Sequence, residues 1–345
     1  METGKTLFLD ALKGEKGGRT PVAILDGYTW MLNRVGLSFR NLMDMDAKTS
    51  AEFIYNAYKD LSSDIVQTNA HLINLTFEAM GGTIDYDKAG EAVEVKTRPL
   101  SAPEDILKFN ADEVWEKVTK RSEFIVAMES TKLLREMAGD EQALVAISFA
   151  PFSLAAMLVG VQEYMEALLD EADGLEELSA FALNLVTRFT QAYVDAGAEV
   201  VFVADPVASG DLISPTAFEE HVLPLLLEIP KVYEKQNIPV LLHICGNTLA
   251  RLEPLVDGGF AGFSLDSVDL RTALNISKGH YAILGNMSPA AVMLQMEPSE
   301  IEAHCRKLVD EAANDGHFIM MPGCDLGPLT PLENVQAMVK AAHNK

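Results

Sequence analysis

The chain has 345 residues, of which 48% are apolar, and its 51 acidic and 27 basic side chains give a formal net charge of −24. This composition is globular and excludes a fibrous or disordered chain, and the negative charge, which repels phosphate backbones, disfavours nucleic acid as a partner. No apolar run reaches the roughly 18–20 residues that span a bilayer, and the first residues do not resemble a signal peptide, so we expect a cytoplasmic protein without a membrane partner.

Eight short runs rich in β-branched and other apolar residues predict eight strands. They are Pro21–Asp26, Asp64–Thr68, Leu144–Phe149, Glu199–Ala204, Pro239–Ile244, Gly262–Asp266, Tyr281–Gly285 and His317–Met321. The runs are continuously apolar, which is typical of parallel strands covered on both faces. Helix-like stretches separate them, so the pattern predicts an α/β fold, a (β/α)8 TIM barrel. A doubly wound open sheet is the alternative, since periodicity does not show that a sheet closes.

Start signals mark several of the intervening helices. Ser214 and Thr330 each precede a proline, which predicts a capping side chain followed by proline at the first helical position. Ser299 with Glu302 fits a capping box.

The longest interval between predicted strands lies at about 70–143. Its sequence predicts a hairpin from Thr83–Tyr86 and Ala92–Lys96, followed by helices near Ala102–Phe109 and Asp112–Met137. No break in composition separates a second domain. We therefore expect one barrel domain over residues 1–345, with this interval as an insertion on the rim.

A candidate metal site lies at the ends of two predicted strands. His243 and Cys245 are two residues apart at the end of the fifth strand, so their side chains point to the same side. Cys324 follows the eighth strand, and the carboxyl ends of barrel strands share one mouth. One imidazole and two thiolates suit Zn²⁺ with three protein ligands and an open fourth position. The sequence therefore predicts a metal site at His243, Cys245 and Cys324.

The cysteine count supports this interpretation. Three cysteines in a chain of 345 residues argue against a disulfide framework and for a reducing compartment. The third, Cys305, falls in the middle of a predicted helix, and we expect it to serve in packing.

Around these ligands the chain resembles the uroporphyrinogen decarboxylase superfamily and, more narrowly, its corrinoid-dependent methyltransferases. The family motif is His-x-Cys followed far downstream by Cys, which His243, Cys245 and Cys324 match. Further similar blocks are FLDALKGE at 8–15, ADPVAS at 204–209, LGN at 284–286, PGC at 322–324 and TPLEN at 330–334. The resemblance covers essentially the whole chain and is strongest from Gly197 to Val339.

The resemblance implies a zinc-dependent enzyme that moves a methyl group from a methylcobamide, carried by a corrinoid protein, to a small thiol such as coenzyme M. Coordination to zinc deprotonates a thiol, and the thiolate then displaces the methyl group from methyl-Co(III) in line, leaving Co(I). A pterin acceptor such as tetrahydrofolate is an alternative. The chain has Asp266 where the coenzyme M type tends to carry glutamate, and the segment Asp26–Leu100 matches the family poorly.

Two other functions stay open at this point. Decarboxylases of the parent superfamily hold the carboxylates of a tetrapyrrole with an arginine-rich segment after the first strand, whereas Asp26–Arg34 contains one arginine. A non-catalytic protein that binds metal or corrinoid, with a structural zinc, is the alternative from a different class. A fourth protein ligand would favour it, because structural zinc sites are closed.

Four polar residues at strand ends are candidates for supporting roles. We predict Asp205 and Asp266 as catalytic residues that accept a proton from His243 or contact the ligand, with a helix cap as the alternative for Asp205. Asn286 and Asn247 are predicted to bind the cofactor, with turn formation as their alternative role. The hairpin region Gly81–Pro99 is a candidate rim for docking of the corrinoid protein.

Overall fold

The protein is described by a computed structural model that covers residues 2–25, 27–69 and 72–343. Within these ranges the strands are β1 (Ile65–Gln67), β2 (Thr83–Asp85), β3 (Glu94–Thr97), β4 (Ala143–Phe149), β5 (Val200–Ala204), β6 (Val240–His243), β7 (Gly262–Leu265), β8 (Ala282–Met287) and β9 (Phe318–Pro322). The first eight α-helices are α1 (Gly4–Ala11), α2 (Tyr28–Arg34), α3 (Phe39–Met43), α4 (Ala47–Asp60), α5 (Leu75–Ala79), α6 (Ala111–Thr119), α7 (Ser122–Ala138) and α8 (Pro151–Val159). They are followed by α9 (Val161–Leu169), α10 (Leu175–Asp195), α11 (Pro215–Ala217), α12 (Leu223–Tyr233), α13 (Leu249–Leu252), α14 (Leu270–Ser277), α15 (Pro298–Ala312) and α16 (Leu332–His343).

A parallel sheet forms the centre of the fold. In the described part of the chain it has seven strands in the order β1-β4-β5-β6-β7-β8-β9, and each neighbouring pair is parallel. Nearly every residue of these strands is buried, as the continuous apolar runs predict for a sheet covered by helices. The observed strands match the seven predicted runs from Asp64 onward to within two residues at either end.

Residues 21–25 close the sheet into a barrel. Val22 forms a parallel bridge with Met320 in β9, and the N–H of Met320 donates to the carbonyl of Pro21 at 2.9 Å. On the other side the N–H of Asp64, just before β1, donates to the carbonyl of Val22 at 2.9 Å. The segment therefore occupies the eighth strand position, and the fold is the (β/α)8 barrel that the sequence predicts.

The first predicted strand, Pro21–Asp26, is nevertheless wrong in extent, because within the described residues only Val22 pairs as a bridge. Pro21 has no N–H, and the N–H of Val22 donates to the carboxylate of Asp64 at 2.8 Å. Two donors are thus unavailable to a regular ladder. Asp26 lies outside the described residues.

The interval between β1 and β4 contains the predicted hairpin and helices. β2 and β3 pair antiparallel in a separate two-stranded sheet, with Asp85 opposite Glu94. A 3-10 segment, Pro103–Lys108, and the helices α6 and α7 follow. α7 packs against α4, on the outside of the barrel.

The predicted helix starts have mixed outcomes. The side chain of Ser214 accepts from the N–H of Ala217 at 3.1 Å, so this cap is confirmed. The capping box at Ser299 is wrong, since α15 begins at Pro298 and its cap is Glu297, whose N–H donates to the carboxylate of Glu300 at 2.9 Å. The predicted cap at Thr330 is also wrong, because its buried hydroxyl makes no hydrogen bond within the described residues.

The buried apolar side chains form one contiguous cluster that reaches from α1 to α16. Among the described residues no single helix is long and apolar enough to cross a membrane. α8 and α9 meet that length and composition only when taken together across a bend of 104°.

Candidate metal centre

Two strand ends bring the three predicted ligands to the mouth of the barrel. His243 is the last residue of β6 and pairs with Ala204 in β5 and Ser264 in β7. Cys245 follows two residues later. Cys324 comes two residues after β9 and is preceded by Gly323, whose N–H donates to the carbonyl of Met287 in β8 at 2.8 Å.

The ligand atoms of His243, Cys245 and Cys324 all lie within 4.8 Å of one another. His243 is buried and the two cysteines are partly exposed. Tetrahedral zinc with metal–sulfur bonds of about 2.3 Å holds its ligands roughly 3.5–3.8 Å apart, so small side-chain rotations bring all three within bonding distance. A nitrogen and two sulfurs are also the donor set that zinc prefers. The residues present therefore fit a zinc ion.

The imidazole of His243 has one nitrogen engaged and one free. Nδ1 lies 3.0 Å from the hydroxyl of Ser264, and the ring stacks on Phe202 with centroids 6.2 Å apart. Nε2 is buried and makes no hydrogen bond within the described residues. A buried polar atom without a partner is costly, and in metal sites the second ring nitrogen is commonly held as Nδ1 is here. Nε2 is therefore the atom available to a metal.

The two thiols interact with each other. Hydrogen bonding with Cys324 is the main cause that lowers the pKa of Cys245 below the usual range of a thiol; His243 adds to the effect, and burial opposes it. Because the thiolate is the metal-binding form of cysteine, this environment favours the state that coordinates. The pKa of the helical Cys305 is instead raised by burial, to about 12.

Asp266 lies between the two segments that carry the cysteines. Its carboxylate accepts from the N–H of Gly246 at 2.8 Å, and a Cβ at position 323 would lie 2.5 Å from the Cα of Asp266. Burial raises the pKa of Asp266; the bond from Gly246 opposes this, while the charge of Cys245 adds to it. Within the described residues Asp266 makes no hydrogen bond to His243.

Asp205 contacts a helix terminus. One carboxylate oxygen accepts from the N–H and the hydroxyl of Ser153, at 2.8 and 2.5 Å, at the start of α8. Burial raises the pKa of Asp205 to about 7, and the two bonds from Ser153 oppose the shift. The other oxygen is buried and makes no hydrogen bond within the described residues. This is the helix-cap geometry that the sequence left as the alternative.

The two asparagines contact the backbone of neighbouring loops. The amide of Asn286 donates to the carbonyl of Val268 at 2.5 Å. The N–H of Asn247 donates to Asp211 at 3.0 Å, and its carbonyl accepts from Gly210 at 2.8 Å. These contacts connect the loop after β5 with the loop after β6, and the loop after β7 with β8. Binding of a cofactor by either residue stays a prediction.

Sequence reasoning missed Ser264, which holds the ring of His243. The sequence feature that could have indicated it is a single hydroxyl residue inside the otherwise apolar run of β7. In the structure Ser264 is fully buried and is paired with His243 in the strand register. Register between β6 and β7 cannot be read from the sequence, so the partnership was not visible.

A cavity of about 580 Å³ is lined in part by the loop that follows Cys324 in sequence, but by none of the three candidate ligands. It lies between the hairpin, which contributes Glu91–Glu94 and Lys88, and the Asp325–Pro328 loop after β9, with Thr29 beside it.

Comparison with known proteins places the chain among enzymes that share this architecture. A family model described as uroporphyrinogen decarboxylase (URO-D) matches residues 3–345. A methylcobamide:CoM methyltransferase, MtaA of Methanosarcina barkeri, is 28% identical over 346 residues, which cover 98% of this chain and 97% of the relative. A second methylcobamide:CoM methyltransferase, MtbA of Methanosarcina acetivorans, is 30% identical over 218 residues, 63% of this chain and 62% of the relative. A solved structure of a methyltransferase from Methanosarcina mazei superposes with a TM-score of 0.85 at 27% identity and covers 99% of this chain and 98% of that one.

Proposed function

The chain belongs to the uroporphyrinogen decarboxylase family, and we propose that it is a methyltransferase of that family which moves a methyl group from a methylated corrinoid to a thiol acceptor such as coenzyme M. The observation that carries the proposal is the convergence of the ligand atoms of His243, Cys245 and Cys324 within 4.8 Å of one another at the mouth of the barrel. The relatives named methylcobamide:CoM methyltransferases support the donor and the acceptor class.

The side chains prepare the site for a metal and an acceptor. The hydroxyl of Ser264 lies at Nδ1 of His243 and leaves Nε2 available to a metal. His243, Cys245 and Cys324 would hold the zinc, which would supply the Lewis acidity that keeps an acceptor thiol as its thiolate at neutral pH. The group identified in the described residues has three members, which leaves one of the four tetrahedral positions of zinc for the acceptor. A structural zinc would need a fourth protein ligand.

The reaction is a displacement at carbon. The acceptor sulfur forms a bond to the methyl carbon while the carbon–cobalt bond breaks, both electrons of that bond stay on cobalt as Co(I), and the thiol proton is released to solvent. No acid is needed to assist the leaving group, because cobalt leaves as a stable anion equivalent.

Decarboxylation of a tetrapyrrole fits the site less well. A substrate with many carboxylates needs several cations, and the described residues 27–34 after the first strand position contain Arg34 alone. Two adjacent thiols also have no role in that reaction. Tetrahydrofolate as the acceptor is distinguished from a thiol by the assay below.

Two measurements test the proposal. Purified protein is expected to hold about one zinc per chain by elemental analysis, and Cys324→Ala is expected to lose it. Cys305→Ala is the matched control, since Cys305 is buried in α15 beside Met287, at 3.6 Å between sulfurs. Incubation with methylcobalamin and coenzyme M is expected to convert the corrin spectrum to that of demethylated cobalamin and to form methylated thiol.

The outcomes separate the alternatives. Transfer to tetrahydrofolate but not to any thiol corrects the acceptor. Absence of transfer to both refutes the methyltransferase, even if zinc is present. A fully folded wild-type protein that binds no zinc refutes the metal centre.

A further inference from the structure

Exposed apolar side chains gather around the mouth of the barrel. Among the described residues nine large apolar side chains are exposed, and five of them lie no more than ten residues after the carboxyl end of a strand position. These five, the apolar rim, are Val35, Leu212, Leu249, Leu294 and Leu329. Carboxyl ends of parallel barrel strands share one face, so the apolar rim lies on the face that carries the metal centre.

The apolar rim surrounds the mouth. In the ring of eight strand positions, β5 and β9 are opposite each other, as are β6 and residues 21–25. Leu212 and Leu329 therefore follow opposite strands, and so do Leu249 and Val35. Eight tilted strands about 4.8 Å apart make a ring on the order of 15 Å across. A ligand small enough to enter the ring does not cover both sides of it, whereas a protein surface does.

The backbone on both sides of the rim residues is held in place. Trp30 and Asn33 donate to the carbonyls of Thr330 and Pro328 at 2.7 Å each, on either side of Leu329. Asn334 donates to the carbonyls of Met293 and Met296 at 2.9 Å each, around Leu294.

Leu212 is held in the same way. The buried Arg251 donates to the carbonyl of Ile213 at 2.7 Å and to that of Ala208 at 3.2 Å. Exposed leucines on a fixed backbone lose little further entropy when a partner binds, which is characteristic of an interface rather than of a mobile loop.

The exposed charges of the loops after β5 to β9 are of one sign, whereas the exposed Arg34 lies beside Val35. The loops after β5 to β9 are residues 205–222, 244–255, 266–270, 288–300 and 323–333. Their only lysine or arginine is Arg251, which is buried. Their exposed carboxylates are those of Asp211, Glu219, Glu220, Glu253, Asp269, Glu297, Glu300 and Glu333. A partner that binds here therefore needs an apolar contact face with basic residues around it.

We propose that the apolar rim is the docking surface for the protein that carries the methylated corrinoid, and that this partner meets it with an apolar face bordered by basic residues. The inference rests on the proposed function, because the methyl carbon must reach the sulfur at the metal centre and its carrier must then cover the mouth. A second copy of this chain fits less well, since it would bring another acidic rim and a further charge of −24 against the first. Among the described residues none of the exposed large apolar side chains belongs to the hairpin at Gly81–Pro99, so the rim rather than the hairpin supplies the contact.

The test compares two methyl donors on the same variants. Leu212→Ser/Leu294→Ser/Leu329→Ser removes three rim side chains. Val232→Ser is the control, because Val232 is 40% exposed and lies near the end of α12, shortly before β6 begins, toward the opposite end of the barrel. The donors are free methylcobalamin and a methylated corrinoid protein isolated from Methanosarcina barkeri. Complex formation with that corrinoid protein is measured separately by sedimentation.

With the corrinoid protein as donor, the rim variant is expected to lose tenfold or more in kcat/KM and to lose the sedimenting complex, while the control variant keeps both. With free methylcobalamin all three proteins are expected to agree within twofold. Added salt is expected to weaken the complex of the wild type.

Equal rates of the rim variant and wild type with the protein donor would overturn the docking surface, as would a wild type that accepts methyl groups from free methylcobalamin only. A wild-type dimer that dissociates in the rim variant would assign the surface to a second copy instead. Failure of the proposed function looks different, since neither donor then supports transfer.

Discussion

Removing the hydroxyl of Ser264 tests whether the orientation of His243 determines metal affinity. Ser264 is fully buried, and its oxygen lies 3.0 Å from Nδ1 of His243. In Ser264→Ala this nitrogen loses its partner in a place that water does not reach, which costs about 1–3 kcal/mol. Loss of such a supporting contact lowers metal affinity roughly 10–100-fold, equivalent to about 1.4–2.7 kcal/mol. The two ranges agree, so we expect a zinc dissociation constant at least tenfold higher.

The measurement is competition for zinc against a chromophoric chelator at pH 7, with thermal unfolding of the metal-free protein alongside. Ser148→Ala is the matched control, because Ser148 is also buried in a barrel strand but its hydroxyl makes no hydrogen bond within the described residues. The control is expected to bind zinc as the wild type does. If Ser264→Ala binds zinc within twofold of the wild type while the imidazole still coordinates, the hydroxyl does not hold the ring and the reasoning fails.

Two further changes give separate tests. In Gly323→Ala the new Cβ would lie 2.5 Å from the Cα of Asp266 and 2.9 Å from a carbonyl oxygen, so the segment that carries Cys324 must move. The zinc content is expected to fall below half, with the circular dichroism spectrum unchanged. Gly327→Ala, whose new Cβ would have no atom nearer than 3.8 Å, should keep its zinc. Burial raises the pKa of Asp205 from 3.8 to about 7, so the folded state binds this proton more tightly than the unfolded state and loses stability as pH rises from about 4 to 7. Asp205→Asn is expected to remove that part of the pH dependence in urea unfolding, and an unchanged difference between pH 4.5 and 7.5 would contradict it.

The strands of the barrel could be predicted because strands buried on both faces are continuous runs of apolar residues in the sequence. Seven of the eight runs appear within two residues of their predicted ends. The first run differs because the carboxylate of Asp64, which is distant in sequence, accepts the hydrogen bond from the N–H of Val22. A local sequence pattern does not predict such a contact. The start of α15 differs for another reason. Ser299 is the better capping residue type, but Pro298 takes the first helical position and makes Glu297 the cap.

The candidate metal ligands could be predicted from the sequence for a different reason. His243 and Cys245 alternate at the end of one strand and Cys324 ends another, and a barrel sends both ends to one mouth. The side chains that support them depend on register and on close packing between loops. Asp205 illustrates the limit, because its place after a strand suits both a catalytic carboxylate and the cap of α8, and only the contacts with Ser153 reveal the second.

The order of the ligands along the chain has a consequence for biosynthesis. Two of them are translated by residue 245, but the third is residue 324, after the last strand, which pairs with β8 on one side and with residues 21–25 on the other. A ribosome-bound chain that stops short of β9 offers an incoming ion one nitrogen and one sulfur, too few for tight capture. If these residues bind a metal, we therefore expect loading to be late, after β9 has been translated and has paired within the barrel.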